Sequence, residues 1–319
     1  MLVRYLRGLE SRGTPDWVGP RGLFAGGDIT GNDTEQTDYI EIATPGNATT
    51  FGNLTRRAGY GPAGCSDGSR GLFGAGSTQS PDIIDYFTIA TIGNAIDFGD
   101  LTPEVDYGPG ACSDGSRGLF TGGYLVNSKA SNQQISYVTI ATTGNSSTFG
   151  NMTAARFYMG NVSDATRGVF AGGMDYVSNA YADTMDYVTV TTTGNATAFG
   201  NMTDGSSRYA SFSDATRGLF AGGWHPNTYT LTDKIDYITI ATTGNASDFG
   251  NLTSIEKLGV SGCSDGFIGT IGGGRTTANY PNEVVTNNID KITIATTSDA
   301  TDFGDLTIAR MSHGSTSGG

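Results

Sequence analysis

The chain repeats itself six times at a period near 50 residues, and this constrains its fold more than any other feature. A unit of that size cannot bury its apolar faces alone and must stack on copies of itself. A segment of the form Arg-Gly-Leu-Phe-Ala-Gly-Gly starts at Arg21. It returns in varied form at Arg70, Arg117, Arg167, Arg217 and Phe267, at spacings of 49, 47, 50, 50 and 50 residues. A second marker, Asp-Tyr-Ile-Thr-Ile-Ala-Thr-Thr-Gly-Asn in its commonest form, starts near Asp38, Asp85, Ser136, Asp186, Asp236 and Asp290. A third, Phe-Gly-Asn/Asp-Leu/Met-Thr, starts at Phe51, Phe98, Phe149, Phe199, Phe249 and Phe303. Six ordered copies of three markers override the two-domain expectation that 319 residues would otherwise set.

Each copy reads as four short strands. Gly-Leu-Phe-Ala-Gly is apolar and ended by glycines. Residues 235–242, Ile-Asp-Tyr-Ile-Thr-Ile-Ala-Thr, are rich in the β-branched and aromatic types that strands favour. Ile235, Tyr237, Thr239 and Ala241 fall on one face and Ile238 and Ile240 on the other, so this strand expects neighbours on both sides. Thr-Gly-Asn marks a turn, Phe-Gly-Asn-Leu-Thr a third strand, and stretches such as 208–213 a further one before the next Arg-Gly. No segment sustains a 3.6-residue apolar period. A β-solenoid would use shorter rungs. The expected fold is therefore all-β, a six-bladed β-propeller of four-stranded antiparallel blades. The expected division is residues 1–20 as an N-terminal extension or anchor and 21–319 as the propeller.

Over residues 21–319 the repeat resembles the kelch repeat. The pairs Gly26-Gly27, Gly122-Gly123, Gly172-Gly173 and Gly222-Gly223 match that family's diglycine, with Gly74-Ala75-Gly76 a departure in the second copy. Tyr39, Tyr86, Tyr137, Tyr187 and Tyr237 match its third-strand aromatic, which Lys291 replaces in the sixth copy. The family's fourth-strand Trp is absent, with Phe51 and its equivalents in its place. The resemblance implies a propeller and leaves function open.

The ends of the chain read as two halves of one blade. Residues 310–319 resemble the segment that precedes each Arg-Gly, and the first copy lacks that segment. Residues 308–319 are therefore expected to supply the innermost strand of blade one and close the ring, removing an exposed edge.

Comparing the copies separates what the fold demands from what varies. Two turns per copy are nearly fixed. The loop after the glycine pair varies from 7 to 14 residues, and the stretch before each first strand varies in sequence. In an up-and-down blade both variable connections emerge on one face, where recognition is expected. Candidate ligand contacts there are the loop aromatics Tyr124, Tyr176, Tyr181, Trp224, Tyr229 and Tyr280 with His225. Tyr60, Tyr107, Tyr158 and Tyr209, eight to ten residues before successive Arg-Gly pairs, are expected around the channel mouth, as ligand contacts or as packing.

Composition excludes several functions. Acidic residues outnumber basic ones 31 to 18, a formal net charge of −13, against gripping nucleic-acid phosphates or anionic lipid. No apolar run reaches the roughly 20 residues of a spanning helix. Residues 1–13 hold Arg4, Arg7 and Arg12, which interrupt any signal-peptide core, so ordinary secretory export is not expected. Sequons such as Asn47, Asn53, Asn151 and Asn251 then recur because the repeats recur.

Catalytic chemistry finds little support. His225 and His313 are the two histidines, and no zinc spacing occurs. No matched Tyr, His and Cys set suits a copper-radical oxidase. Cys65, Cys112 and Cys263 occupy a slot filled elsewhere by Val162 and Phe212, which reads as apolar and buried. Loop acids such as Glu104, Asp106, Asp175 and Glu283 could serve a glycan hydrolase only if paired. The Ser-Asp-x-x-Arg-Gly turns, as at Ser66 and Ser163, read as structural Asp–Arg ion pairs before an anion site. No catalytic residue, metal or cofactor is expected.

Leu2, Val3, Leu6 and Leu9 could line one side of a short helix, with Arg4 and Arg7 elsewhere. Leu2, Val3, Arg4, Leu6 and Arg7 are the candidate anchor to other virion proteins. That partner follows from a second resemblance: a Gly/Thr/Asn-rich repeat with few lysines is similar to kelch-like proteins in virions of marine tailed phages. It implies a non-enzymatic capsid decoration or tail-fibre appendage on the virion exterior, presenting its variable face to a host-surface glycan or protein. The alternative is a free carbohydrate-binding or protein-binding adaptor, extracellular or at a cell surface, with a glycan hydrolase third.

Overall fold

The computed structural model describes residues 19–225, 230–253, 257–276 and 284–319; the candidate anchor residues Leu2 to Arg7 and the candidates Tyr229, Tyr280 and Glu283 lie outside them. Six four-stranded antiparallel sheets form the blades of a β-propeller, with no helix among the described residues. Blade two runs outward through Ala63–Ser66, Arg70–Gly74, Ile83–Thr88 and Ile96–Asp100, and blades three to six repeat that order. Blade one is split. Its three outer strands are Arg21–Ala25, Gln36–Glu41 and Thr49–Asn53, and its innermost is the C-terminal Gly314–Gly318. Arg21 pairs with Gly318 and Ala25 with Gly314, which closes the ring as the sequence led us to expect. In the sixth copy Ile268, not Phe267, takes the place of the repeated Arg: Ile268 pairs with Thr293 as Arg217 pairs with Thr239.

The core lies between blades. Phe73, Phe87 and Ile89 of blade two pack with Leu23, Phe51 and Leu54 of blade one. Phe24, Ile40 and Ile42 pack with Cys263, Ile289 and Phe303 across the closing seam. That is why the third strand of each blade is apolar on both faces. The three cysteines are buried and free, and burial pushes the Cys65 and Cys263 thiols up to about 12, as inert packing residues require.

One face of the ring repeats because the blades are clipped together there. The turn of each blade pairs with the outer strand of the blade before it. Gly93 N donates to Phe51 O at 3.0 Å, Ala95 N donates to Asn53 O at 2.8 Å, and Asn94 Oδ1 accepts from Asn53 N at 3.1 Å. The Asn side-chain clip recurs at Asn145, Asn195, Asn245 and Asn47, with Asp299 in the sixth place. A Cβ on Gly52 would collide with the Gly93 carbonyl, so the Phe-Gly marker is a demand of this contact. The outermost strands, which would otherwise expose unpaired edges, are covered.

The repeated arginines join the same clasp. Arg70 lies 4.9 Å over the Tyr86 ring and donates to the Ile140 and Ala141 carbonyls of the next blade at 3.2 and 2.9 Å. Arg21, Arg117, Arg167 and Arg217 repeat the stack. The expected Asp–Arg ion pair is not what forms. Asp67 accepts instead from the backbone N–H groups of Ser69 and Arg70, at 2.9 and 2.7 Å, and closes the turn. Blade six loses both partners of the stack together, with Ile268 and Lys291 in their places.

A second set of buried partners lies beneath the variable face. Asp38, Asp85, Asp186 and Asp290 are buried and pair with Arg310, Arg56, Arg156 and Lys257 at 2.6, 2.6, 2.7 and 3.1 Å. In blade three Ser136 replaces the acid and hydrogen-bonds the Thr102 carbonyl at 2.8 Å. In blade five Asp236 keeps the carboxylate, while Ser206 stands at the same spacing after Phe199 as Arg156 after Phe149. Lys234 reaches Asp236 only at 3.8 Å, and burial holds the Asp236 carboxyl above its ordinary range.

Candidate functional site

At the mouth of the channel on the variable face, six backbone hydrogen bonds form a belt. Gly108 N donates to Tyr60 O, Tyr158 N to Gly108 O, Arg208 N to Tyr158 O, Gly259 N to Arg208 O, Ser312 N to Gly259 O and Gly61 N to Ser312 O, at 2.7–3.0 Å. All six donor residues hold positive φ, between 51° and 72°. Glycine fills the position in three blades; Tyr158, Arg208 and Ser312 fill it in the others.

This frame separates the four tyrosines expected around the channel mouth. Tyr60, Tyr107, Tyr158 and Tyr209 do not occupy equivalent positions. Tyr60 and Tyr107 precede the belt residue, Tyr158 is one, and Tyr209 follows one. Tyr209 is 6% exposed, and its hydroxyl donates to the Ala171 carbonyl at 2.6 Å, so it packs inside the wall. One residue of drift changes which way a side chain leaves the backbone.

Beside the belt runs the first residue after each glycine pair. Tyr124, Met174, Trp224 and Arg275 bridge the backbone of Tyr107, Phe157, Ser207 and Leu258, and Asp28 bridges Met311. The frame is shared and the side chains differ. Blade one offers acids: burial and then Asp28 hold the Asp33 carboxyl above its ordinary range. Blades two to four offer aromatics. Tyr60 and Tyr107 have centroids 4.6 Å apart, Tyr107 stacks on Tyr124 at 5.4 Å and 5°, and Tyr176 lies 4.5 Å from Tyr124. Phe157 joins Tyr124 to Tyr158. Tyr124 is buried within this arc, whereas Tyr176 is 47% exposed.

Blades four to six enclose a cleft of about 720 Å³, lined by Tyr181, Asp183, Ser207, Arg208, Trp224 and Arg275 among others. Tyr181 and Trp224 were expected on this face; the arginines were not singled out. The signal for Arg275 was its place directly after Gly273-Gly274, where Trp224 follows Gly222-Gly223. His225, next to Trp224, turns the other way. Its Nε2 lies 3.7 Å from Asp204, and it lines a cavity of about 30 Å³ with Asp236 and Lys234.

The axial channel is narrow, about 170 Å³, and lined by short side chains such as Gly64, Ala111, Ser211 and Ser315. Hydroxyls cross from blade to blade at its far end: Ser113 donates to Ser66 O, Ser163 to Ser113 O, Ser213 to Ser163 O and Ser264 to Ser213 O, at 2.6–2.9 Å.

Two of the loop acids, Asp106 and Asp175, are engaged separately. Asp106 is buried and accepts from Val126 N at 2.7 Å. Burial would raise the Asp175 carboxyl, but hydrogen bonds from Ser178 outweigh it, and the net shift is downward. A carboxyl shifted that way stays ionised and is poorly suited to donate a proton. No group of three or more His, Cys, Asp or Glu residues among the described residues could hold a metal ion. A scan against models of known protein families finds none that matches the chain, and no curated protein sequence matches it.

Proposed function

We propose that the chain is a non-enzymatic recognition module, a kelch-type propeller carried on the exterior of a phage virion as a capsid decoration or tail-fibre appendage. Its variable face binds a host-surface glycan or protein, and residues 1–20 attach it to other virion proteins. The observation that carries this reading is the contrast between the two faces. The clipped face repeats one side-chain clip in every blade, from Asn in five and from Asp299 in the sixth. On the other face one backbone position carries Asp28, Ser77, Tyr124, Met174, Trp224 and Arg275 in turn. A scaffold that holds side chains of unlike chemistry on a shared, hydrogen-bonded frame is suited to recognition. Tyr and Trp at its surface supply contact area at low entropic cost.

Two measurements test the proposal. Full-length protein in a native lysate should sediment with megadalton particles, and a form lacking residues 1–20 should not; full-length protein that sediments as a free 33.1 kDa species, clear of particles like the truncated form, defeats the virion placement. Full-length protein should adhere to target cells, and Tyr176→Ala with Trp224→Ala should weaken adhesion. Unchanged adhesion would remove recognition from this face.

A further inference from the structure

We propose that the cleft between blades four, five and six binds a carboxylate-bearing sugar, with the acid group held by Arg208 and Arg275 and the ring laid against Trp224 and Tyr181. This rests on the variable face being the recognition surface and names the ligand class it takes.

The first argument is local charge. The protein has a formal net charge of −13, yet two guanidinium groups line this one cleft. They are near enough to act on each other: burial and then Arg208 lower the Arg275 pKa, and Asp28 offsets part of that. An anion between two such groups relieves their repulsion. Guanidinium forks match carboxylate geometry, so the fit is directional as well as electrostatic.

The second argument is backbone strain. Arg208 sits in the belt with φ at 61°, the left-handed region that disfavours any residue carrying a Cβ. Gly61, Gly108 and Gly259 fill the same place in other blades and make the same hydrogen bond. The fold therefore does not require a side chain there. Arg208 is braced over the Tyr158 ring at 4.2 Å, which fixes the direction of its guanidinium. Strain kept where glycine would serve, in a side chain held over a cleft, points to a binding role.

The third argument is the rest of the lining. Trp224 and Tyr181, both partly buried, offer aromatic surface of the kind that packs on the C–H faces of a pyranose. Asp183, exposed at the cleft, supplies acceptors for hydroxyl groups. The carboxylate of Asp183 also counts against a densely charged ligand, as does the net charge of the whole protein, so a polyphosphate backbone fits less well than one acid group among hydroxyls. A cleft of about 720 Å³ is in the range of small-ligand sites and has room for a few sugar rings.

The test uses calorimetric titration of the full chain with a glucuronate-containing hyaluronan tetrasaccharide, its carboxyl-reduced counterpart, and inorganic phosphate. The charged sugar should bind at least about tenfold more tightly than the reduced one, a difference expected when a charged partner is lost. Arg208→Gly copies the residue three blades already carry, so it should fold and lose that preference; Arg275→Gln should do the same. Equal binding of both sugars overturns the carboxylate assignment and leaves recognition by this face standing. Phosphate binding as tightly as the acid sugar reduces the pair to a general anion site and overturns the sugar assignment. Binding of neither sugar overturns the ligand class. Adhesion to target cells that survives Arg208→Gly but not Trp224→Ala then shows recognition by this face through other chemistry, whereas adhesion untouched by both defeats the broader reading too.

Discussion

The Arg208 guanidinium lies 4.2 Å from the centroid of the Tyr158 ring, and both residues hold positive φ, 61° and 57°. They are neighbours in the belt, since Arg208 N donates to Tyr158 O at 3.0 Å. Each blade hands one hydrogen bond to the next here, and three of the six belt residues, Tyr158, Arg208 and Ser312, adopt left-handed backbone with a Cβ to do it. That inverts the usual ranking of substitutions. Arg208→Ala keeps the strained Cβ and loses the stack. Arg208→Gly loses the stack but removes the strain. The glycine variant should be the more stable by about 1 kcal/mol, less than the full left-handed penalty because glycine loses more entropy on folding. Urea unfolding of the two variants decides it; an alanine variant at least as stable would show that the belt geometry carries no strain.

Buried acids should differ sharply in what their removal costs. Asp85 faces Arg56, and both are almost wholly buried. Asp85→Ser strands that guanidinium, which should cost about 3–5 kcal/mol. Asp236 faces no such cation, and burial already opposes its charge. Asp236→Ser copies what blade three does at Ser136, and should cost less than about 1 kcal/mol. Denaturant midpoints compared at equal slope would show the contrast, and equal losses would mean that Lys234 pairs with Asp236 as strongly as Arg56 pairs with Asp85.

The architecture was legible because repetition amplifies weak local signals. One Phe-Gly-Asn/Asp means little, but six in register with a preceding strand define a blade, and the missing first strand pointed to its substitute within 308–319, where Gly314–Gly318 supplies it. What escaped were features whose meaning depends on the neighbouring blade. The Asp that opens most copies of the second marker has no partner assigned from sequence, yet Asp85 is 0% exposed because Arg56 crosses from the preceding connection to meet it. The turn Asp and repeated Arg looked like a local pair, yet the Arg reaches the next blade's carbonyls. At the site, counting back from Arg-Gly placed four tyrosines in one class. The hydrogen-bonded belt shows that Tyr60 comes one residue before its belt position, Tyr158 on it and Tyr209 one after, with Arg208 in the belt position beside Tyr209.

The closing strand carries more than backbone pairing. Arg310 is 0% exposed and joins Asp38 at 2.6 Å across 272 residues of chain. Its other guanidinium nitrogen donates to the Gly26 and Gln36 carbonyls at 3.0 and 2.7 Å. Deleting residues 308–319 removes the innermost strand of blade one and strands Asp38. The expected result is loss of a single cooperative unfolding transition, read by calorimetry. A truncated protein that still unfolds in one transition near the full-length midpoint would show that the clasp is dispensable.

Acid should attack the ring at that same seam. His313 is 4% exposed, and burial, with Arg310 close by, lowers its pKa from 6.5 to about 3. The folded protein holds this imidazole neutral, whereas the unfolded chain protonates it near pH 6.5. Below that value the unfolded state binds the extra proton, so the contribution of His313 is full above about pH 6.5 and is lost progressively as pH falls towards 3, by up to about 1.4 kcal/mol per pH unit. The raised carboxyls of Asp85 and Asp236 act with the opposite sign, since the fold favours their protonated forms as pH falls towards 3.8. Total stability against pH therefore mixes the terms, and the comparison must isolate His313. His313→Gln is neutral at every pH and leaves the carboxyls in place. Between pH 6.5 and 4 the unfolding free energy of the wild type should fall relative to that of His313→Gln, whatever their difference at pH 8. Parallel curves across that range would mean that the imidazole is protonated in the folded ring.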